Sequence, residues 1–289
     1  MLIKCFLSAF LEVFMAFEWQ YISSKSNPLI VKLAKLKDKK YRKEERLFRF
    51  DGIKLFDEAL RSGIALEYVI LSQESYERLR PSVEQGIAER GTPVRLILAS
   101  DDVFSKLTDE RSPEGIICIA GYLDKLHKIG KIDIKSDCGK ERILLLESVR
   151  DAGNLGTVIR CARAFGIDRL VISSDCADPY NSKTLRAAMG AMFTQRIDIV
   201  DSIPDSVNAL RESGYRVLAA ALDREARRLG SFDLEVGDAI LIGNEGHGLS
   251  EEAKASCDGS VFIPMEEGSE SLNAAIAASI CMWELYKSK

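Results

Sequence analysis

Histidine is scarce in this chain, and the common metal and nucleotide motifs are missing. The 289 residues include two histidines, His127 and His247, and no H-E-x-x-H stretch, so we expect neither a zinc enzyme nor a bound metal. Neither G-K-[ST] nor G-x-G-x-x-G occurs, which argues against an ordinary nucleotide-dependent α/β enzyme. The seven cysteines form no C-x-x-C pair, and such an unpatterned set is typical of a reducing compartment such as the cytoplasm.

Long hydrophobic runs are also lacking. Residues 1–22 are apolar, but Glu12 and Glu18 interrupt them, and the run is shorter than a membrane-spanning helix requires, so we expect no membrane association. Met15 begins an ordinary protein start, "MAFEWQYISSKSNPL". We therefore expect residues 1–14 to be an over-extended gene start within an N-terminal extension over residues 1–26. An ordered or peripheral helix and a targeting segment are the alternatives.

What the chain does contain is typical of a globular α/β protein with two domains. Apolar residues make up 46% and charged residues 29%, and the length suffices for two cores. Strand-like apolar runs alternate with helical segments in both halves, which predicts α/β layers. We expect a small α/β domain over residues 27–122, a polar linker over 123–142, and an α/β domain with a mostly parallel sheet over 143–289.

Charge is distributed unevenly along the chain. The net charge of −4 argues against a uniformly basic nucleic-acid-binding surface but allows a local one. Residues 30–49 hold nine basic and three acidic residues, a net charge of +6. Charge alone supports two interpretations equally, a solvated helix face and a patch that binds a phosphate backbone.

Three polar, glycine-containing segments each follow a predicted strand, where open parallel sheets bind their ligands. The first is "VRDAGNLGTVIRCARAFG", residues 149–166. Asp151 or Asn154 can cap its helix, and Arg160 in the early turns of that helix favours an anion such as phosphate. The alternative is a well-capped helix that carries a surface arginine.

The second segment is "GNEGHGLS", residues 243–250, and the third is "IPMEEGSESLNAAIAASI", residues 263–280. Glu245 suits a hydrogen bond to a ribose, an amine or an arginine better than contact with a phosphate; a plain glycine turn is the alternative. In the third segment we expect Ser271 to cap the last helix. We expect Asn273, in the first turn, to read a planar heterocycle or to hold a neighbouring side chain.

Taken together, these segments resemble the motifs of the SpoU (TrmH-type) RNA ribose 2'-O-methyltransferases. "NLGTVIRCA", "LIGNEGHGLS" and "IPMEEGSESLNAAIAASI" occur in the family's order, and residues 27–120 resemble the substrate-binding domain that precedes many such enzymes. The resemblance implies an S-adenosylmethionine-dependent enzyme of the SPOUT superfamily whose C-terminal domain contains a deep trefoil knot. It also implies a homodimer that brings the cofactor pocket and a catalytic arginine together near the interface.

The resemblance also implies the role of individual residues. Arg160 is implied as the catalytic residue, with Asn154, Glu245, Ser271 and Asn273 completing the site. The residues implied to bind the cofactor are Leu222, Gly243, Asn244, Glu245, Gly246, Ile263, Met265, Ser271, Leu272, Asn273 and Ala277. The residues implied to bind RNA are Lys37, Lys39, Lys40, Arg42, Lys43, Lys183 and Arg186.

The implied chemistry is attack of a ribose 2'-hydroxyl on the methyl carbon of a sulfonium, which requires alignment and removal of a proton. Arginine is a poor general base because its pKa exceeds about 12. Either the surroundings of Arg160 depress its pKa sharply, or Arg160 orients a phosphate while another group accepts the proton. Two positions depart from the family pattern: Ala152 replaces a common proline, which should loosen the turn, and Ala188 replaces a common serine near the substrate.

The RNA itself is not identified by these motifs. A separate N-terminal domain with a basic stretch fits ribosomal RNA somewhat better than transfer RNA, so we expect a ribosomal substrate. The alternative function is a catalytically inactive RNA-binding protein of the same fold. The presence of all the implied catalytic residues argues against that alternative, and failure to bind S-adenosylmethionine would favour it.

Overall fold

The computed structural model describes residues 17–130, 132, 141–266, 268 and 271–287. The predicted gene-start extension over residues 1–14 lies outside them. The chain divides into two compact units between Tyr122 and Leu123, and each is described by itself. In the described part of the chain, no helix combines the length and the apolar character needed to cross a bilayer.

The N-terminal unit is built on a five-stranded sheet. Its elements are β1 (Trp19–Ile22), α1 (Pro28–Ala34), α2 (Lys39–Glu45), β2 (Leu47–Asp51), α3 (Ile53–Arg61), β3 (Leu66–Ser72), α4 (Tyr76–Arg90), β4 (Arg95–Ala99), α5 (Asp101–Leu107) and β5 (Ile116–Gly121). The strand order is β1-β4-β3-β5-β2, with β1 and β3 parallel to β4 and with β5 antiparallel to β2 and β3. Ile70 and Ile97 of the sheet form one core with Leu33 of α1 and Phe104 of α5.

Strand β1 lies within the stretch predicted as an N-terminal extension, so that prediction is wrong for residues 19–22. The four residues pair in parallel with Leu96–Ala99. Ile22 is the single buried residue of the strand. An edge strand that is held mainly by backbone hydrogen bonds has little hydrophobic periodicity. The sequence therefore gives no pattern that predicts a strand at residues 19–22.

The most basic stretch of the sequence turns one of its arginines inward. Arg42 is 4% exposed, and its Nη1 donates to the carbonyl oxygens of Leu36 and Lys37, 2.7 Å away in each case. The prediction that Arg42 contacts RNA is therefore wrong, because this guanidinium satisfies backbone carbonyls between α1 and α2. The other predicted contacts in the stretch are exposed: Lys37, Lys39, Lys40 and Lys43.

The C-terminal unit is built on an eight-stranded sheet. Its elements are β6 (Leu126–Ile129), β7 (Ile143–Leu146), α6 (Ala152–Ala164), β8 (Arg169–Ser173), α7 (Ser182–Ala188), β9 (Arg196–Val200), α8 (Ile203–Glu212), β10 (Arg216–Ala220), β11 (Arg227–Arg228), β12 (Asp238–Ile242), α9 (Glu251–Ser256), β13 (Gly259–Phe262) and α10 (Ala274–Lys287). The strand order is β11-β13-β10-β12-β7-β8-β9-β6, and the paired strands run parallel. The predicted α/β fold with a mostly parallel sheet is confirmed.

Part of the predicted linker belongs to this sheet. Leu126–Ile129 pair in parallel with Ile197–Val200, so the prediction of a linker over 123–142 is wrong for β6. The strand is short and its two middle residues, His127 and Lys128, are exposed, so the sequence gives no hydrophobic pattern for it. Residues 131 and 133–140 of the predicted linker lie outside the described residues.

The order of strands explains where the polar loops meet. From β7 the chain moves outward through β8 and β9, and it then returns to the other side of β7 through β10 and β12. Such a reversal opens a crevice at the carboxyl ends of the neighbouring strands. The loops after β7, β12 and β13 lie at this crevice, and they contain the three polar, glycine-containing segments.

Candidate active site

The first segment begins helix α6 with an aspartate cap. Asp151 Oδ1 accepts a hydrogen bond from the backbone amide of Asn154 at 2.8 Å, and its other oxygen accepts one from Lys183 Nζ at 2.7 Å. These bonds, the lysine bond above all, hold the pKa of Asp151 below its usual value. Because Asp151 rather than Asn154 is the cap, the amide side chain of Asn154 is available to the site.

Asn154 links the three segments. Its Nδ2 donates to Glu245 Oε1 at 2.7 Å, and its Oδ1 accepts from Asn273 Nδ2 at 2.9 Å. A single side chain of the first segment therefore holds the second and the third together. All three residues are among those predicted for the site, and the structure brings them into contact.

Asn273 also begins the last helix. Its Oδ1 accepts from the backbone amide of Ala275 at 2.9 Å, and α10 starts at Ala274. The prediction that Ser271 caps this helix is therefore wrong by two residues. Serine and asparagine are comparably good caps, so the sequence could not distinguish them; the bond between Asn273 and Asn154 favours the later start. Ser271 instead lines the cavity described below.

The second segment folds back on itself tightly. Asn244 and Gly248 exchange backbone hydrogen bonds of 2.9 and 3.0 Å, while Asn244 Oδ1 accepts from the amide of Gly246 at 2.8 Å. A Cβ on Gly243 would lie 2.4 Å from the carbonyl carbon of Gly248. Glycine is required at 243 because backbone atoms, rather than flexible side chains, occupy that space.

This crowding leads to a prediction. Gly243→Ala should lower the affinity for S-adenosylmethionine by about 10- to 100-fold, because the added methyl group overpacks the loop and forces its backbone apart. Isothermal titration calorimetry measures the change. Gly259→Ala in β13 is the matched control, because the nearest atom to its added Cβ is Leu218 Cδ2 at 3.9 Å, and it should bind within about 2-fold of wild type. Equal affinity of the two variants would contradict the prediction.

A cavity of about 490 Å³ lies at the carboxyl ends of β10, β12 and β13. This volume suits a small-molecule ligand. Ten of the eleven residues predicted to bind the cofactor line it: Leu222, Gly243, Asn244, Glu245, Gly246, Ile263, Met265, Ser271, Leu272 and Ala277. Asn273 is not among the lining residues, because its side chain bonds to Asn154 and caps α10.

The cavity has further lining residues that the sequence does not indicate. Ala220 and Ala221 form its wall at the end of β10, and Lys254 lies on α9, where its Nζ pairs with Glu251 at 2.6 Å. Small alanines at the end of a strand carry no chemical signal, and Lys254 lies outside the three segments. The position of Leu222 just after β10 was the available indication that this strand borders the cavity.

The lining residues fit S-adenosylmethionine chemically. Leu222, Ile263 and Leu272 supply apolar surface for a planar base, and the carboxylate of Glu245 can accept hydrogen bonds from ribose hydroxyls. Glu245 and Glu251 also make the lining acidic in part, which suits a ligand that carries a sulfonium cation. Among the described residues, no cluster of metal-ligating side chains was found.

Arg160 does not reach this cavity within one chain. It lies on the exposed face of α6, six residues after Asn154 and therefore about 120° around the helix. No hydrogen bond or ion pair joins its guanidinium to another residue that the structure describes. Lys183 is exposed beside the start of α6 and pairs with Asp151, while Arg186 is half-buried on α7.

Comparisons with known proteins agree with the geometry. Residues 141–283 match the SpoU rRNA Methylase family, and residues 27–118 match the MRM3-like substrate binding domain. The chain is 30% identical to the 23S rRNA (guanosine(2553)-2'-O)-methyltransferase RlmP of Bacillus subtilis over 270 residues. This alignment covers 91% of the chain and 98% of RlmP. The chain belongs to the SpoU rRNA methylase family.

Two further proteins are similar to most of the chain. An AdoMet-bound rRNA methyltransferase from Sinorhizobium meliloti superposes with a TM-score of 0.77 at 28% identity, over 93% of this chain and 97% of that one. The mitochondrial rRNA methyltransferase 3A of Danio rerio is 27% identical to this chain, in an alignment that covers 84% of this chain and 64% of that protein. These matches confirm the predicted family, and with it an RNA ribose 2'-O-methyltransferase that uses S-adenosylmethionine.

Proposed function

We propose that this enzyme methylates a ribose 2'-hydroxyl of ribosomal RNA in the cytoplasm. The observation that carries the proposal is the pair of bonds from Asn154 to Glu245 and Asn273, which joins the three motif segments at the wall of the cavity. The ribosomal substrate is supported by the named activity of RlmP. The exposed lysines Lys39, Lys40 and Lys43 of the N-terminal unit suit contact with an RNA backbone.

The residues of the cavity would hold and orient the methyl donor. S-adenosylmethionine, when bound, supplies an electrophilic methyl group on a sulfonium. The apolar side chains of Leu222, Ile263 and Leu272 would bind its adenine, and the backbone of the 243–248 loop would offer hydrogen bonds. Glu245, fixed by Asn154, would hold the ribose hydroxyls. These contacts place the methyl carbon for attack by the RNA hydroxyl.

Arg160 would act on the RNA rather than on the donor. A guanidinium donates two parallel hydrogen bonds to a phosphate and remains charged near neutral pH, so it suits orientation of the RNA backbone better than removal of a proton. Its exposure and its distance around α6 from Asn154 support this role. Lys183, beside the start of the same helix, would contribute positive charge to the same surface.

A second copy of the chain would complete the site. Ile276 and Trp283 lie seven residues apart on α10, hence on one helix face, and they are 52% and 46% exposed. The Trp283 ring also contacts the rings of Phe165 and Tyr286, with centroids 6.0 and 5.8 Å away. We propose that this apolar face pairs with a second copy and brings Arg160 of the partner subunit to the cavity, which it does not reach in its own chain.

Complementation between subunits tests this arrangement. At a donor concentration below the wild-type Kd, Arg160→Ala chains and Gly243→Ala chains should each show little activity alone. Together they should form a mixed dimer with about half of the wild-type activity, because one of its two composite sites is intact. The mixed dimer is isolated by co-expression with two different tags. Trp283→Arg should in addition reduce the mass in solution to that of the 32.1 kDa chain. An inactive mixed dimer would show that Arg160 acts on the cavity of its own chain.

The trefoil knot belongs to the same proposal. Strand β13 lies beside β10, yet α10, which follows it, packs on α6 and β12. Ile263, Met265, Ser271 and Leu272 line the same cavity as residues 243–248, and we propose that the C-terminal domain is knotted there. A knot at this position would hold the second and third segments together without a further covalent link.

Methyl transfer by the purified protein tests the proposed function. With radiolabelled S-adenosylmethionine, label should enter ribosomal RNA, and a substrate with 2'-deoxyribose at the modified nucleotide should accept none. Transfer RNA from the same cells is the matched control and should remain unlabelled. Binding of RNA without any methyl transfer would support the inactive alternative.

A further inference from the structure

Ser148 has a backbone conformation that serine rarely adopts. It follows the strand β7 and the adjoining Glu147, and its φ is +56°. In this left-handed region the Cβ of any residue but glycine crowds the backbone, so the conformation persists only where surrounding contacts impose it. Ser148 lies outside the residues assigned to the donor or to the RNA.

The carbonyl of Ser148 holds the second segment. Its oxygen accepts a hydrogen bond of 2.7 Å from Asn244 Nδ2. Asn244 in turn shapes the loop, because its Oδ1 accepts from the amides of Gly246 and His247. The direction of one carbonyl therefore sets the position of the 244–247 loop, which includes Glu245.

Two hydrogen bonds hold Ser148 in place, and their acceptors lie at the end of β8 and in the loop after it. The backbone amide of Ser148 donates to Ser173 Oγ at 2.8 Å, and its hydroxyl donates to Asp175 Oδ2 at 2.6 Å. Ser173 Oγ donates to Asp175 Oδ1 at 2.6 Å. Asp175 thus accepts hydrogen bonds from the Ser148 hydroxyl and from Ser173, the residue that binds the Ser148 amide. None of the contacts of Asp175 reaches the cavity.

Asp175 is suited to this task by its charge. Partial burial favours its neutral form, but hydrogen bonds from Ser148, Ser173 and Arg150 outweigh burial and lower the pKa of Asp175. The carboxylate therefore stays ionised near neutral pH, as an acceptor of two serine hydroxyls must. Arg150 pairs with it at 3.1 Å from the exposed side.

We infer that Ser148 and Asp175 are positioning residues for methyl transfer. Asp175 holds Ser148 in the left-handed conformation, and the Ser148 carbonyl holds the Asn244 loop in the shape that binds the methyl donor. The loop after β8 thereby becomes a fourth part of the site, beside the three motif segments. This inference rests on the proposed donor pocket.

A double-mutant cycle tests the inference. Asp175→Ala should raise the Kd for S-adenosylmethionine about 10-fold, and the KM for the donor in step, while kcat at saturating donor changes less than about 3-fold. Ser148→Gly should bind within about 3-fold of wild type, because glycine adopts this φ without a clamp. In the Ser148→Gly background, Asp175→Ala should cost no more than about 2-fold further.

Two further variants sharpen the result. Ser148→Val should weaken donor binding about 10-fold or more, because a β-branched side chain opposes the left-handed conformation. Arg150→Met, which removes only the exposed partner of Asp175, should change binding less than about 2-fold. If Asp175→Ala does not fold, Asp175→Asn keeps its shape and takes its place in the cycle.

The outcomes separate this inference from the proposed function. The positioning role is overturned if Asp175→Ala binds the donor as wild type does. It is also overturned if Asp175→Ala lowers donor affinity equally in the wild-type and Ser148→Gly backgrounds. If wild type does not bind S-adenosylmethionine, or Gly243→Ala binds it unchanged, the proposed pocket itself fails. Compared with Asp175→Ala alone, the double variant with Ser148→Gly should regain donor affinity but not the wild-type urea unfolding midpoint. That result would show that Asp175 positions Ser148 and does not act only by stabilising the fold.

Discussion

Replacement of Arg160 by alanine is expected to slow methyl transfer by about 100- to 10,000-fold and to leave donor affinity within about 2-fold of wild type. The guanidinium is exposed on α6 and does not line the cavity. Its loss should therefore remove an interaction with the RNA while the donor pocket remains intact. Single-turnover rates at saturating donor and RNA measure the first effect, and calorimetry with S-adenosylmethionine measures the second.

Arg163 provides the matched control for this experiment. It is exposed in the last turn of the same helix, and Arg163→Ala should change the rate less than about 3-fold. Arg160→Lys should retain part of the activity, because an ammonium keeps the charge but loses the bidentate geometry. A near-normal rate of the Arg160→Ala variant would contradict both roles considered for this residue, phosphate orientation and proton removal.

Arg169→Met is expected to lower the free energy of unfolding of the C-terminal unit by about 3–5 kcal/mol. Arg169 is 4% exposed and pairs with Glu141 at 2.8 Å and with Asp198 at 3.4 Å. The Asp198 side chain is 1% exposed, and after the substitution its charge would be left with Arg196 at 3.6 Å. Urea unfolding, followed through Trp283 fluorescence in a Trp19→Phe background, measures the change.

The control breaks an exposed ion pair of the same unit. Arg211 and Asp258 are 2.7 Å apart, with 42% and 27% of their side chains exposed, and Arg211→Met should cost no more than about 1 kcal/mol. Replacing both buried partners, with Arg169→Met and Asp198→Leu together, should restore part of the lost stability because no buried charge is left unpaired. Equal losses for Arg169→Met and Arg211→Met would contradict the account.

Much of the fold follows from local patterns in the sequence. Strands such as β7 and β12 consist mostly of apolar residues, so their residues alone predict them. The N-terminal strand Trp19–Ile22 and the strand Leu126–Ile129 escape prediction because they bury few side chains and depend on backbone pairing with distant partners. Arg42 is wrongly predicted to contact RNA because its charge alone does not reveal that its guanidinium bonds to buried backbone carbonyls.

The site could be predicted only in part, for related reasons. Glycines and polar residues after strands mark the three motif segments, and the resemblance names Asn154, Glu245 and Asn273 together. Their hydrogen bonds join residues 91 and 119 positions apart, a separation that no local pattern encodes. The Ser148 conformation is likewise invisible in the sequence, because serine has no preference for a left-handed backbone and the partners that impose it lie on another loop.

The central claim is that this enzyme methylates ribosomal RNA, and mapping of ribose 2'-O-methylation tests it most directly. Total RNA is compared from cells with the gene, without it, and with the Arg160→Ala variant in its place. The account predicts loss of one 2'-O-methylated nucleotide in ribosomal RNA both in the deletion and in the variant. Loss of a methylated nucleotide only in transfer RNA, or no loss at all, would contradict it.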